Sequence, residues 1–160
     1  NDAFSKDGLR ISSMVTTNDS LYLATFDGLW RFNAESNNVE KLNFTENNKL
    51  ILQLRHHKNY LYFGTNYHGA FVYDLATKKI IKHISPEQGL SSPEVIDILP
   101  LRNGDIWITT ASGLDVINIQ TGYVRNIANS KNNENSTKFI SLLLADDKVF
   151  VSTTGNKPLI

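Results

Sequence analysis

The residues of this chain most able to hold a metal are the adjacent histidines of Arg55-His56-His57-Lys58. Neighbouring residues on extended backbone point to opposite sides, so the pair does not converge on one ion. The segment reads instead as a solvated turn between two strands, and no metal site is expected. Nucleophilic chemistry is no better supplied. Threonines recur at 25, 65, 110 and 153, but no base recurs beside them to activate a hydroxyl. Acids such as Asp27, Glu87 and Glu94 are scattered and form no acid–base pair of the glycosidase or lyase kind. Three Asn-X-Ser/Thr sequons begin at Asn18, Asn43 and Asn135. An Asn-rich composition accounts for them without glycans. No catalytic residue and no cofactor is expected.

The bulk composition narrows the field further. Lys plus Arg and Asp plus Glu both total 16 in 160 residues, which argues against a nucleic-acid footprint or a charged membrane-binding face. Cysteine is absent, so there is neither a disulfide framework nor thiolate chemistry. No apolar run is long enough to span a bilayer. The opening Asn1–Arg10 stretch has no basic flank followed by an apolar core, so it is not read as a signal peptide, although one could have been removed.

The recurring threonines mark the elements. Each closes a short apolar run, SLYLAT, YLYFGT, DIWITT and KVFVST, and the period is 40 to 45 residues. An aromatic stands three residues before each threonine: Tyr22, Tyr62, Trp107 and Phe150. A glycine follows in the first three copies (Gly28, Gly69, Gly113) and leads a further apolar stretch. Another apolar strand precedes each run. A turn that opens on Asn or Asp, with Ser or Thr three residues on, follows the glycine-led strand (Asn33/Ser36, Asp74/Thr77, Asn118/Thr121). An Asx side chain there can bond the backbone ahead of it, and Gly122 can take the left-handed residue that closes such a hairpin. A more polar fourth strand ends each unit.

Four short antiparallel strands at this period describe a β-propeller blade. The fold expected is all-β, a β-propeller fragment of about three and a half four-stranded blades at 9–46, 49–86, 89–129 and, incomplete, 136–160. No helix longer than two turns is expected between Ile11 and Ile127. Four blades of this period need about 170 residues. An arc of this size leaves an apolar blade face and strand edges open. Its expected partners are the missing blades of the same propeller or a second copy of the chain. The aromatics at the second-strand position are assigned to packing between blades, and Trp107 is expected to be buried there. His83 is aligned with Leu42 and Ile127 of the neighbouring blades and read as half-buried packing.

The stretch GLSSPEVIDILPLRNGDIWITTASGLDVINIQTG, residues 89–122, resembles the two-component regulator propeller repeat. It departs from that repeat at Thr109, where glycine is usual, and at Leu101, where an acid is usual. Tyrosine replaces the tryptophan in the first two blades. The resemblance implies the periplasmic sensor region of a bacterial hybrid two-component system. There, two seven-bladed propellers and a small β-sandwich precede a membrane helix and a histidine kinase. It implies ligand sensing, of an oligosaccharide, with no catalysis in the propeller itself, and a homodimeric intact protein. Two other readings stand beside it: a protein-interaction scaffold and a propeller polysaccharide lyase, since propeller active sites draw residues from distant blades.

Topology selects the binding face. The loops from second to third strand share one end of the blades with the loops between blades. That end carries Asp27, Tyr67, His68 and Ser112 beside the segment SPEQGLSSPE. In the second blade this loop is one residue longer. An aromatic beside a polar ring on an exposed loop suits a sugar, through stacking and hydrogen bonds. These four residues are the candidate ligand site.

Overall fold

The computed structural model describes residues 10–43, 50–129 and 137–154. The strands fall into four groups. β1 (Ile11–Thr16), β2 (Ser20–Thr25), β3 (Gly28–Asn33) and β4 (Asn38–Leu42) form the first antiparallel sheet. β5 (Ile51–His57), β6 (Tyr60–Thr65), β7 (Ala70–Asp74) and β8 (Lys79–Ile84) form the second. β9 (Val95–Pro100), β10 (Asp105–Thr110), β11 (Gly113–Asn118) and β12 (Val124–Asn129) form the third. β13 (Phe139–Ala145) and β14 (Lys148–Thr153) begin a fourth. Each sheet pairs its strands in chain order, as a propeller blade does. Among the described residues, a 3-10 turn at Pro86–Gln88 stands between the second and third sheets. The sequon at Asn135 lies outside the described residues.

The repeated threonine is a turn clamp. The buried Thr25 hydroxyl donates to the Gly28 carbonyl at 2.8 Å and accepts the Asp27 N–H at 3.0 Å. Thr65 does the same with Gly69 and His68, and Thr110 with Gly113 and Ser112. A hydroxyl, both donor and acceptor, can satisfy both sides of a turn at once, which explains why the position is not simply apolar. The Asx turns form as the sequence suggests. Asn33 Oδ1 accepts from Ser36, Asp74 from Ala76 and Thr77, and Asn118 from Gln120 and Thr121, with Gly122 at φ 72°.

One feature of the repeat is not visible as a motif. Every first strand carries an irregularity near its start: Ile11/Ser13, Ile51/Gln53 and Phe139/Ser141 on the strand itself, and opposite Thr109/Thr110 in the third sheet. One residue per blade is thereby left out of the pairing, which bends and twists the strand locally. Counting from these bulges, Ile11, Ile51, Val95 and Phe139 are equivalent, and so are Met14, Leu54, Ile98 and Leu142.

The core lies between blades. Tyr22, Ala24, Ile51, Leu54, Phe63 and Phe71 pack the first joint. Tyr62, Val72, Val95, Ile98 and Ile108 pack the second, and Leu114, Phe139, Leu142 and Val151 the third. The aromatic of each second strand thus faces the following blade. Trp107 follows the rule but is half-buried rather than buried. It lies against the third cluster with Leu99, Ala128 and Val149, where the next blade contributes two described strands and cannot cover the whole ring.

Two further expectations are corrected. His83 pairs with Phe71, so it corresponds to Lys41 and Asn126; Leu42, Ile84 and Ala128 form the next position along. Ile127, used for the alignment, is the residue skipped by a bulge in the β11–β12 pairing. The exposed imidazole stacks on Phe71, with centroids 4.4 Å apart and planes 6° apart. The His56–His57 pair belongs to the end of β5, and the turn itself is only Lys58-Asn59.

Candidate functional site

Asp27, Tyr67, His68 and Ser112 all occupy turns from second to third strand, at the same end of three successive blades. Hydrogen bonds anchor these turns to the loops between blades. The N–H that follows each repeat threonine donates to the carbonyl just ahead of that blade's first strand: Phe26 to Arg10, Asn66 to Leu50, Ala111 to Glu94, and Thr154 to Lys138. The arrangement inferred from topology is therefore present, and it repeats in all four blades.

The turn of the second blade is held by several hydrogen bonds. Thr65 fixes the His68 N–H, the Gly69 N–H donates to the Pro93 carbonyl at 2.8 Å, and His83 Nε2 lies 2.7 Å from the His68 carbonyl. Gly69 sits at φ 75°, and a Cβ there would lie 2.0 Å from the Ile84 carbonyl oxygen, so no other residue fits without a shift. The Tyr67 ring, on this braced loop, is 69% exposed. The neighbouring segment is equally fixed. Ser85 caps the 3-10 turn in a reciprocal arrangement with Gln88, and Ser91 donates its N–H and hydroxyl to the buried Asp115 carboxylate. Asn126 donates to the other oxygen of Asp115 at 2.8 Å, which accounts for a buried carboxylate here as a structural anchor.

The four residues stand on one end of the blades, and none of them lines the cleft found among the described residues. Asp27 is exposed and ion-paired to Lys41 at 2.6 Å. That cleft, of about 710 Å³, opens between the first and second blades and runs from the turns at Asp19 and Lys58 up to Lys41, the partner of Asp27. Its walls include Tyr22, Arg31, Glu40, His56, Lys58 and Tyr73. Arg31 is locked by Ser20, Glu40 and Asp19. Desolvation opposes its charge, but the hydrogen bond to Glu40 and the surrounding anions hold its pKa above the ordinary value. Burial raises both Tyr22 and Tyr73, keeping their hydroxyls protonated as donors. The sequence hides this cleft because Arg31 takes a position that Val72 and Val116 fill in the next blades. Only register reveals the exchange of an aliphatic for a guanidinium.

Among the described residues no three His, Asp or Glu side chains gather where a metal could bind. No described helix is long and apolar enough to cross a membrane.

No family model and no curated protein matches the sequence. Solved structures do resemble the fold. One is the extracellular domain of BT4673 from B. thetaiotaomicron, described as a one-component or hybrid two-component system. It matches with a TM-score of 0.80 at 19% identity, over 96% of this chain and 21% of that one. The extracellular domain of BT3049 from the same organism, described as a hybrid two-component system, matches at 0.68 and 17%, over 99% of this chain and 28% of that one. The computationally designed Ika4 matches at 0.74 and 14%, over 97% of this chain and 92% of that one. The chain spans between a fifth and a third of the length of the two extracellular domains. Its fold is a β-propeller arc of the kind found in the extracellular domains of two-component systems.

Proposed function

We propose that this arc belongs to the non-catalytic sensor propeller of a hybrid two-component protein, placed in the periplasm, where it detects an oligosaccharide and relays binding to a histidine kinase outside the chain. The observation that carries the reading is the match to the BT4673 extracellular domain over 96% of the chain. Tyr67 and His68 are the ligand contacts in this reading. Stacking on a sugar favours an exposed aromatic face on a well-anchored backbone, and Tyr67 is exposed on a turn whose Asn66, His68 and Gly69 N–H groups are all hydrogen-bonded. Asp27 and Ser112 flank it on the adjacent turns as hydrogen-bonding groups.

Calorimetric titration of an ectodomain containing this arc against a panel of oligosaccharides tests the proposal. A saccharide that binds, and binds more weakly to the Tyr67→Ala/His68→Ala variant at an unchanged melting temperature, supports it. Binding that the double substitution leaves untouched moves the site elsewhere. A panel without any binder overturns the glycan reading, and turnover of a glycan would favour the lyase.

A further inference from the structure

The first joint between blades differs in chemistry from the second at two positions across it. In the second joint Val72 and Ile117 fill the space near Tyr62 with aliphatic side chains. Register places Arg31 and Tyr73 at those positions of the first joint, and the cleft of about 710 Å³ opens there. Both of its walls belong to complete four-stranded blades. Its size falls within the roughly 300–1,000 Å³ that small-molecule sites occupy.

Three of the five guanidinium N–H groups of Arg31 go to Ser20, Glu40 and Asp19, and the other two have no hydrogen-bond partner among the described residues. Lys58 and Lys78 line the same cleft from the β5–β6 and β7–β8 turns. Both lysines hold left-handed backbone, at φ 55°. That conformation favours glycine, asparagine and aspartate. The corresponding turns of the other blades follow the preference, with Gly104, Asp146 and Asp147 in the place of Lys58, and Asn37 and Gly122 in the place of Lys78. The unfavourable choice thus falls twice on lysine, and both times at the cleft. Neither lysine has an ion-pair partner among the described residues. A strained backbone that carries an uncompensated ammonium points to use of the ammonium itself.

From this we propose that the cleft between the first and second blades binds a small sugar acid, whose carboxylate pairs with Lys58 and Lys78 and whose hydroxyl groups bond Arg31, Glu40 and the Tyr22 hydroxyl. In the lining, Arg31, Lys41, Lys58 and Lys78 outnumber Asp19 and Glu40, which favours an anion. The excess persists when Lys41 is set aside as the partner of Asp27. Carboxylate acceptors beside N–H and O–H donors suit a polyhydroxylated molecule better than a bare inorganic anion, which can only accept. The site is separate from the Tyr67 turn, and the proposal rests neither on that turn nor on the sensor role.

Calorimetric titration of an ectodomain containing this arc with glucuronate, galacturonate and their disaccharides, each beside its methyl ester, tests the site. At least one acid should bind, and its ester, with the same hydroxyls and no charge, should bind about tenfold more weakly, the loss of one charge-assisted hydrogen bond. The Lys58→Asn/Lys78→Asn variant installs residues that suit the left-handed backbone. It should weaken binding of the acid by about tenfold or more while its melting temperature holds or rises. Tyr67→Ala/His68→Ala should leave binding of the acid unchanged, so failure of the cleft and failure of the Tyr67 site are read separately. A panel of acids without a binder, an ester that binds as tightly as its acid, or a lysine double variant that binds like the wild type overturns the proposal. An acid whose binding falls with Tyr67 and His68 instead belongs to the other end of the blades, which overturns it as well.

Discussion

The guanidinium of Arg55 in the second blade grips both carboxylate oxygens of Asp97 in the third, at 3.0 and 3.1 Å. Asp97 also accepts its neighbour's N–H, from Ile98, and the N–H of Leu142 in the fourth blade, each at 2.8 Å. One buried carboxylate thus ties three blades together along their first strands. The carboxylate is 1% exposed and the guanidinium 39%, so the pair spans the boundary between core and solvent.

Removing the cation strands the anion. Arg55→Met should cost stability toward the lower end of about 3–5 kcal/mol, because water still reaches one partner. Urea denaturation measures it. A loss within experimental error would mean that the backbone donors alone compensate Asp97.

The turn clamp predicts a loss that depends on the hydroxyl and not on side-chain volume. Thr25→Val leaves the Asp27 N–H without its acceptor and the Gly28 carbonyl without one donor, at a cost of about 1–3 kcal/mol. Thr25→Ser retains the oxygen and should lose much less. Equal losses in thermal denaturation would assign the threonine to packing.

Thr109 points the other way. It is wholly buried, and its hydroxyl has no hydrogen-bond partner among the described residues. Thr109→Val removes an unsatisfied group at nearly constant shape and should stabilise the chain by about 1 kcal/mol. A lower melting temperature would show that the hydroxyl is bonded in solution.

His57 supplies a pH dependence. Burial lowers its pKa, and the charges of Lys58, Arg102 and His56 lower it further. The unfolded chain therefore takes up its proton first as pH falls. The contribution of His57 to stability is complete above the ordinary histidine value of about 6.5 and declines on acidification toward the lower folded value. His57→Gln should flatten the fall in melting temperature in that window. An unaltered pH profile would remove His57 as its source.

Trp107→Ala should destabilise by less than the roughly 3–5 kcal/mol of a fully buried tryptophan, since the ring is half covered. Denaturant titration in parallel with Tyr62→Ala provides the comparison. A Trp107 loss larger than that of Tyr62 would contradict the burial order of the two joints.

What the sequence by itself determined is what repeats or closes locally. The spacing of Thr25, Thr65, Thr110 and Thr153 marks the blades, and the Asx turns at Asn33, Asp74 and Asn118 form within three residues. The shared end of Asp27, Tyr67, His68 and Ser112 followed from alternating strand direction alone. Tertiary structure decided everything that depends on which residue faces which across a joint. A bulge that skips Ile127 shifted the alignment of His83, because an unpaired residue leaves no mark in composition. Arg55 and Asp97 are 42 residues apart, and neither is remarkable until the bulged first strands bring them into contact. The cleft at Arg31 likewise exists only once two blades stand side by side. Burial of an aromatic is set by its neighbour: the same position is covered at Tyr22, half-covered at Trp107 and open at Phe150, because the surface that covers it belongs to the next blade.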